Sequence, residues 1–182
     1  MRRRQFVTAL GMLSGAGIAG VSCDLLARRT PDVIFVPTAF ETVVTMLKLA
    51  EVTRDDIVYD LGCGDGRFVV TAAKQFGARG VGIDIDPQCI RDARQLAART
   101  GTEDKVRFIE GDMFESDISE ATVVTLYLLT QVNLKLRPKL MRELNPGTRV
   151  VSHAFDMGDW PPEKTGDVGS SLIYLWRIPP RP

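Results

Sequence analysis

The run Ile57-Val58-Tyr59-Asp60-Leu61-Gly62-Cys63-Gly64-Asp65-Gly66 constrains the fold more than any other part of this chain. Apolar and aromatic residues lead to an acid, and three alternating glycines follow. That order describes a buried strand that stops abruptly in a tight loop. Glycine lets the backbone take a positive φ and approach a ligand with no Cβ in between. Gly62, Gly64 and Gly66 can therefore wrap the amino-acid end of a small ligand, and Asp60 can meet an ammonium on it. The G-x-G-x-G spacing differs from the dinucleotide fingerprint G-x-G-x-x-G, in which a pyrophosphate rests on the helix that follows.

Two more strands end in acids. Gly80-Val81-Gly82-Ile83-Asp84 places a carboxylate where a ribose diol would find its acceptors, and Val106 to Phe114 places Asp112 at a third strand end with apolar Met113 beside it. Open α/β sheets bind ligands outside the carboxyl ends of their strands, so the three acids form one pocket rim. With the glycine loop, this rim points to S-adenosylmethionine. At any single position a simple strand-end turn competes, because Gly and Asp are common in turns. Three such ends in succession are a stronger signal than one turn.

On these residues the chain resembles the class I S-adenosylmethionine-dependent methyltransferases, over residues 33 to 160. The resemblance implies an α/β fold, a doubly wound Rossmann-like sheet that is mostly parallel with an antiparallel C-terminal strand. It implies cofactor contacts at Asp60, Gly62, Cys63, Gly64, Asp65, Gly66, Asp84, Asp112 and Met113. The residues ending the fourth strand, read as Ala121 to Leu129, would line the methyl-transfer channel. Tyr127 is the favoured catalytic candidate there, orienting an amine lone pair, with Thr130 and Asn133 nearby. A half-buried structural tyrosine is the competing reading.

The pattern around these motifs is β-α-β-α-β, which implies a parallel sheet. Thr38-Ala39-Phe40-Glu41 has the form of a capping box ahead of a helix burying Val43, Met46, Leu47 and Ala50. Val69, Ala72, Ala73 and Phe76 repeat that spacing, and Asp86-Pro87 reads as the N-cap and first residue of a helix packing Ile90, Ala93 and Ala97. A helix is expected from Pro138 to Leu144, a fifth strand from Arg149 to Phe155, and an antiparallel last strand from Ser171 to Ile178. Lys135, Lys139 and Arg142 read as a solvated face, His153 as structural, and Asp156, Asp159 and Trp160 as neighbours of the pocket or a plain acidic turn.

The first 29 residues read as a separate segment. Arg3-Arg4-Gln5-Phe6 and the apolar, glycine-rich stretch to Ser22 look like a twin-arginine export signal or a membrane anchor, leaving residues 30–182 as the catalytic domain. Cys23 stands where a lipoprotein would be acylated, but Gly20 departs from the usual lipobox leucine. The flanking charges favour an outside domain, whereas S-adenosylmethionine is made in the cytoplasm. Membrane association with the domain facing the cytoplasm, and export by the twin-arginine route, both stay open.

Of 182 residues 45% are hydrophobic and 25% charged, enough for one core, and a formal net charge of zero argues against a nucleic-acid binder that relies on a broad basic field. Cys23, Cys63 and Cys89 form no C-x-x-C pair, so neither a disulfide framework nor a zinc site is indicated. Val36-Pro37-Thr38, the glycine loop through Arg67 and Asn133 to Pro138 are similar to the small membrane-anchored lysine methyltransferases that modify mitochondrial carrier and ATP synthase proteins, and to their bacterial relatives. That likeness implies a protein lysine as acceptor, in a membrane protein or otherwise. A neutral amine made by desolvation would need no dedicated base. A small-molecule or lipid acceptor, a nicotinamide-dependent oxidoreductase and a non-catalytic binding module are the alternatives.

Overall fold

Two helical faces and a glycine-punctuated strand set the first half of the fold. The computed structural model describes residues 37–181; the signal or anchor expected in residues 1–29 lies outside them. Helix α1 (Phe40–Leu49) buries Val43, Met46 and Leu47 completely. Strand β1 (Ile57–Leu61) leads through the glycine loop into α2 (Arg67–Thr71), which continues as a π-helical stretch, Ala72–Phe76. Strand β2 (Arg79–Asp84), helix α3 (Pro87–Thr100) and strand β3 (Val106–Glu110) follow. Strand β4 (Val123–Leu126), helix α4 (Thr130–Glu143), strand β5 (Arg149–His153) and the hairpin of β6 (Lys164–Val168) with β7 (Ser171–Arg177) complete the chain.

The strands form one sheet in the order β3-β2-β1-β4-β5-β7-β6. All pairs from β3 to β5 are parallel, and β7 runs antiparallel between β5 and β6. From β1 the chain moves outward to β2 and β3, then returns to place β4 on the other side of β1. The crevice at the carboxyl ends of β1 and β4 is therefore the topological switch point, the place where such sheets bind ligands. Alternation along β1 feeds both faces: Val58 joins the core with α1, α2 and α3, while Tyr59 and Leu61 join the core with α4 and Trp176.

Several local expectations change. No side-chain cap forms at α1, whose N-cap is Ala39. Instead Thr38 gives its carbonyl to the Arg67 guanidinium, which ties the start of α1 to the glycine loop. The fourth and fifth strands are shorter than expected and stop at Leu126 and His153. Helix α4 begins at Thr130, not Pro138, and carries Pro138 inside it. The proline forgoes one bond, to the carbonyl of Leu134, a residue 41% exposed that solvent can serve. Strand β6 was not expected because Lys-Thr-Gly-Asp-Val lacks an apolar alternation; it is an edge strand that gets its structure from pairing with β7. Lys139 is not part of a solvated face but buried, 2.6 Å from Glu143. Trp160 packs on Trp176, with ring centroids 5.9 Å apart, and Asp159 pairs with Arg137. Among the described residues, no helix is long and apolar enough to cross a membrane.

A buried ionic knot joins α1, β1, β4 and β5 at the opposite end of the sheet from the glycine loop. Asp56 receives Thr122 Oγ1 at 2.7 Å, the Thr53 amide at 2.7 Å and the Arg149 guanidinium. Arg149 also donates to the Ala50 carbonyl at 2.9 Å and the Glu51 carbonyl at 3.0 Å. Burial alone would raise the Asp56 pKa; the two threonine bonds and Arg149 outweigh it, and the net shift is downward. The stabilisation is thus present above the ordinary carboxylate range and is lost as pH falls through the lowered value. Thr122→Val is expected to cost ~1–2 kcal/mol in urea unfolding at pH 7. Part of that loss should vanish at acid pH below the lowered Asp56 value, where the carboxyl is protonated with or without Thr122. An equal loss at both pH values would show that the hydroxyl serves only the Ile57 amide, which it accepts at 2.9 Å.

Candidate functional site

Every sequence-identified site residue sits at the carboxyl ends of four adjacent strands, or in the residues just beyond. Asp60 is in β1, Gly62 to Gly66 follow it, Asp84 ends β2, Asp112 and Met113 follow β3, and Tyr127 follows β4. The loop takes the conformation that its glycines allow, with φ of 77°, 53° and 77° at Gly62, Gly64 and Gly66.

The loop amides are largely spent inside the protein. The Gly62 and Cys63 amides donate to the Ile83 carbonyl at 2.9 and 3.0 Å, and the Gly66 amide donates to the Cys63 carbonyl at 2.9 Å. The Gly64 amide donates to Asp84 Oδ2 at 2.8 Å, and the Arg67 amide to Asp65 Oδ1 at 3.2 Å. A pyrophosphate cradle needs a crown of free N–H groups at this turn. With these five donors already engaged, the loop is poorly suited to a dinucleotide.

Gly66, read as one of the ligand-wrapping glycines, also has a packing task, which it shares with Gly82 of β2. A Cβ at Gly66 would lie 2.6 Å from the Phe108 ring and 2.8 Å from Ala93 Cβ; one at Gly82 would lie 2.7 Å from the same ring and 2.8 Å from Cys63 Sγ. Phe108 of β3 thus nests between two glycines and locks the loop onto the sheet. Asp65 is likewise turned inward. Its carboxylate holds Arg67 Nε at 2.9 Å, and Arg67 reaches on to Thr38.

Asp60 is 3% exposed, and Thr125 Oγ1 of β4 donates to its Oδ1 at 2.6 Å. Burial pushes its pKa up to about 8 against that hydrogen bond, and the nearby Asp84 and Asp65 charges add to the rise. Arg67 lowers it only from a distance, and among the described residues no cation hydrogen-bonds this carboxyl; a ligand ammonium would supply one. Asp84 accepts from the Gly64 amide and, at 2.9 Å, from the Asp86 amide. A carboxylate offers about four acceptor positions, so about two remain for a pair of hydroxyls. Asp112 Oδ1 accepts the Phe114 amide at 2.8 Å, and Met113 is half-buried against the α4-side core. Burial, with Asp60 and Asp84 next, raises the Cys63 thiol well above its usual range, so it serves as a small neutral wall.

Tyr127 stacks at 4.3 Å between ring centroids on His153 and at 6.1 Å on Phe155. His153 was read from sequence as structural, and Phe155 was not singled out. No sequence signal marks either one, because their meeting depends on β5 lying beside β4. A hollow of about 360 Å³ lined by Phe40, Val70, Lys74 and Leu96 lies apart from this rim and shares only Asp65 and Arg67 with it.

A family model described as the ANTKMT methyltransferase domain matches residues 60–164. A protein-lysine N-methyltransferase of Saccharolobus islandicus is 51% identical over 153 residues, covering 81% of this chain and 95% of that protein. The adenine nucleotide translocase lysine N-methyltransferase of Mus musculus is 31% identical over 155 residues, covering 83% of this chain and 67% of that protein. A solved structure, described as an RNA methyltransferase from Salinibacter ruber in complex with S-adenosyl-L-homocysteine, is 56% identical. It covers 80% of this chain and 95% of that one, with a TM-score of 0.79.

Proposed function

The chain belongs to the ANTKMT methyltransferase family, and from that premise we propose that it transfers a methyl group from S-adenosylmethionine to the ε-amine of a protein lysine. The observation that carries the cofactor half is Asp60, a buried carboxyl with a hydroxyl partner and no cation among its described hydrogen bonds, beside a loop whose amides are closed to phosphate. Bound S-adenosylmethionine supplies an electrophilic methyl group on a sulfonium. Asp60 is assigned its ammonium, Asp84 its ribose hydroxyls, Asp112 the adenine amino group and Met113 an apolar wall for the ring. The backbone of Gly62 to Gly64 borders the amino-acid end, and Asp65 with Arg67 holds the loop in place. Tyr127, past the end of β4, is assigned to orient the incoming amine, and positioning of that kind supplies much of the acceleration in such displacements.

The acceptor half rests on the activities that the relatives are named for, which do not agree. Two name a protein lysine, and the Salinibacter protein is called an RNA methyltransferase. A formal net charge of zero favours the protein acceptor, since RNA binding draws on a basic surface. Residues 1–29 are proposed as the leader or anchor, which would bring the domain to a membrane protein on the cytoplasmic side where the methyl donor is made.

Incubation with labelled S-adenosylmethionine, membrane and soluble proteins, and total RNA, followed by hydrolysis, tests both halves. Label recovered as methyllysine is the expected result. Label in nucleotides alone would replace the lysine acceptor with RNA, and no label in any fraction would remove the enzyme reading.

A further inference from the structure

Against Tyr127 lies a cluster, His153 with Phe155 and nearby Asn133, to which nothing so far described gives a task. His153, 7% exposed, has both ring nitrogens shut off from solvent and without a hydrogen-bond partner. A neutral imidazole carries one donor and one acceptor, and a folded protein seldom leaves both unpaired. Asn133 of α4 is fully buried, and its amide nitrogen reaches the Phe155 carbonyl at 3.3 Å and the Asp156 carbonyl at 3.1 Å, yet its Oδ1 is also unpaired. His153 ends β5 and Asn133 holds the segment that follows it, at the same end of the sheet as Tyr127.

The backbone just past His153 is strained. The Phe155 amide donates to the His153 carbonyl at 2.8 Å, closing a three-residue turn on Ala154, whose φ is 64°. The φ-positive form of this turn is rare, and a residue with a Cβ adopts it only when its surroundings enforce it. Ser152 Oγ helps to do so by donating to the Phe155 carbonyl at 2.7 Å. The result is that the His153 and Phe155 rings both meet Tyr127. Unpaired buried polar atoms beside enforced strain are features of a substrate site more than of a core.

We propose that Tyr127, His153 and Phe155 form the socket for the acceptor lysine, with the edge of this ring cluster alongside its aliphatic stem and His153 taking the proton that the ε-ammonium must lose. This rests on the lysine reading above. The N–H electron pair stays on nitrogen as the proton passes to the imidazole. That lone pair forms the new N–C bond while the sulfonium C–S bond breaks and leaves its pair on sulfur. The imidazolium, shut off from solvent in the ligand-free chain, gives its proton to water along the path that the lysine opens as the product leaves. Burial is the only influence resolved on His153 and lowers its pKa, so the imidazole enters neutral. The same dry surroundings lower the pKa of an entering lysine. Tyr127, in ring contact beyond β4, is the ionisable group shown against His153; the partner of His153 on β7 is the apolar Ile173, and Asp156 follows in the next loop.

The test uses the full chain with a lysine-bearing protein substrate and compares wild type, His153→Gln and His153→Ala from pH 6.5 to 10. At pH 7 kcat/KM for methyllysine formation should fall ~10²-fold, the usual worth of a positioned base. The deficit should shrink toward ~3-fold near pH 10, where solvent itself delivers the free amine. Affinity for S-adenosylhomocysteine, titrated in parallel, should stay within ~2-fold. A loss that does not change with pH, a deficit below ~3-fold at pH 7, or a matching loss of S-adenosylhomocysteine affinity would each overturn the proposal. Failure of the lysine reading shows up separately, as wild-type label in RNA and none in methyllysine, before any variant is compared.

Discussion

Asp60→Asn is expected to lose methyl transfer while the cofactor-free protein becomes more resistant to unfolding at pH 8.5. Asn keeps the shape and can still accept the Thr125 hydroxyl that Asp60 Oδ1 accepts at 2.6 Å. What it removes is a charge that burial disfavours. Asp60 has a folded pKa of about 8, raised first by burial, against an ordinary value of 3.8. Between those values the folded state holds a proton that the unfolded state has released. Stability from this group is therefore full below the ordinary carboxylate range, declines as pH rises, and is gone above about 8. The variant escapes that decline, so its advantage should be near zero at pH 4 and grow to several kcal/mol, on the order of 5, by pH 8.5. Affinity for S-adenosylmethionine should fall ~10³-fold, as expected when one partner of a buried charge pair is removed. Thermal unfolding from pH 4 to 9, with and without cofactor, measures both effects. A variant no more stable than wild type at pH 8.5 would show that Asp60 is already charged and satisfied without a ligand.

Gly66→Ala should be among the most destabilising single-methyl changes in this domain, at ~3–4 kcal/mol. Two costs add. A φ of 77° places an alanine in the left-handed region, which costs ~1–2 kcal/mol. The new Cβ would also lie 2.6 Å from Phe108 and 2.8 Å from Ala93 Cβ. Ala93 cannot rotate away, so α3 or β3 must shift, and overpacking of this kind costs ~1–3 kcal/mol. Gly101→Ala is the matched control, with a φ of 67° and nothing within 4 Å of the added atom. The difference between the two variants in urea unfolding isolates the packing cost. Equal losses would mean that the Phe108 ring yields freely and that only backbone strain matters at Gly66.

The elements legible in the sequence are those whose cause is local. Asp86 followed by Pro87 marks an N-cap and first turn whatever surrounds it, and in the structure Asp86 Oδ1 accepts the Gln88 amide at 2.8 Å. The acid-ended strands and the antiparallel Ser171 strand were readable for the same reason, since apolar runs and punctuation fix them. Pro138 misled because proline usually opens a helix, whereas here packing of Leu136 and Leu140 carries α4 through it. Strand β6 has no signal of its own and depends on β7. The site divides in the same way. Asp60 and Asp84 were visible as strand ends, but that Thr125 holds Asp60, that Arg67 occupies Asp65 and that Phe108 fills the space at Gly66 are facts of neighbouring strands. His153 was read as structural because a lone histidine inside a strand usually is. Its unpaired nitrogens exist only once β5 and the Ala154 turn are in place.

Calorimetric titration of S-adenosylmethionine and, separately, of NAD into wild type and Asp84→Ala is the most direct test of the cofactor assignment on which the rest depends. Asp84 secures the Gly64 amide at 2.8 Å and is the assigned ribose acceptor, so one change removes both functions. The account predicts one S-adenosylmethionine site, no measurable NAD binding, and a loss of at least ~10²-fold in the variant, with its fold intact by circular dichroism. NAD binding by the wild type, or S-adenosylmethionine affinity unchanged in Asp84→Ala, would contradict it.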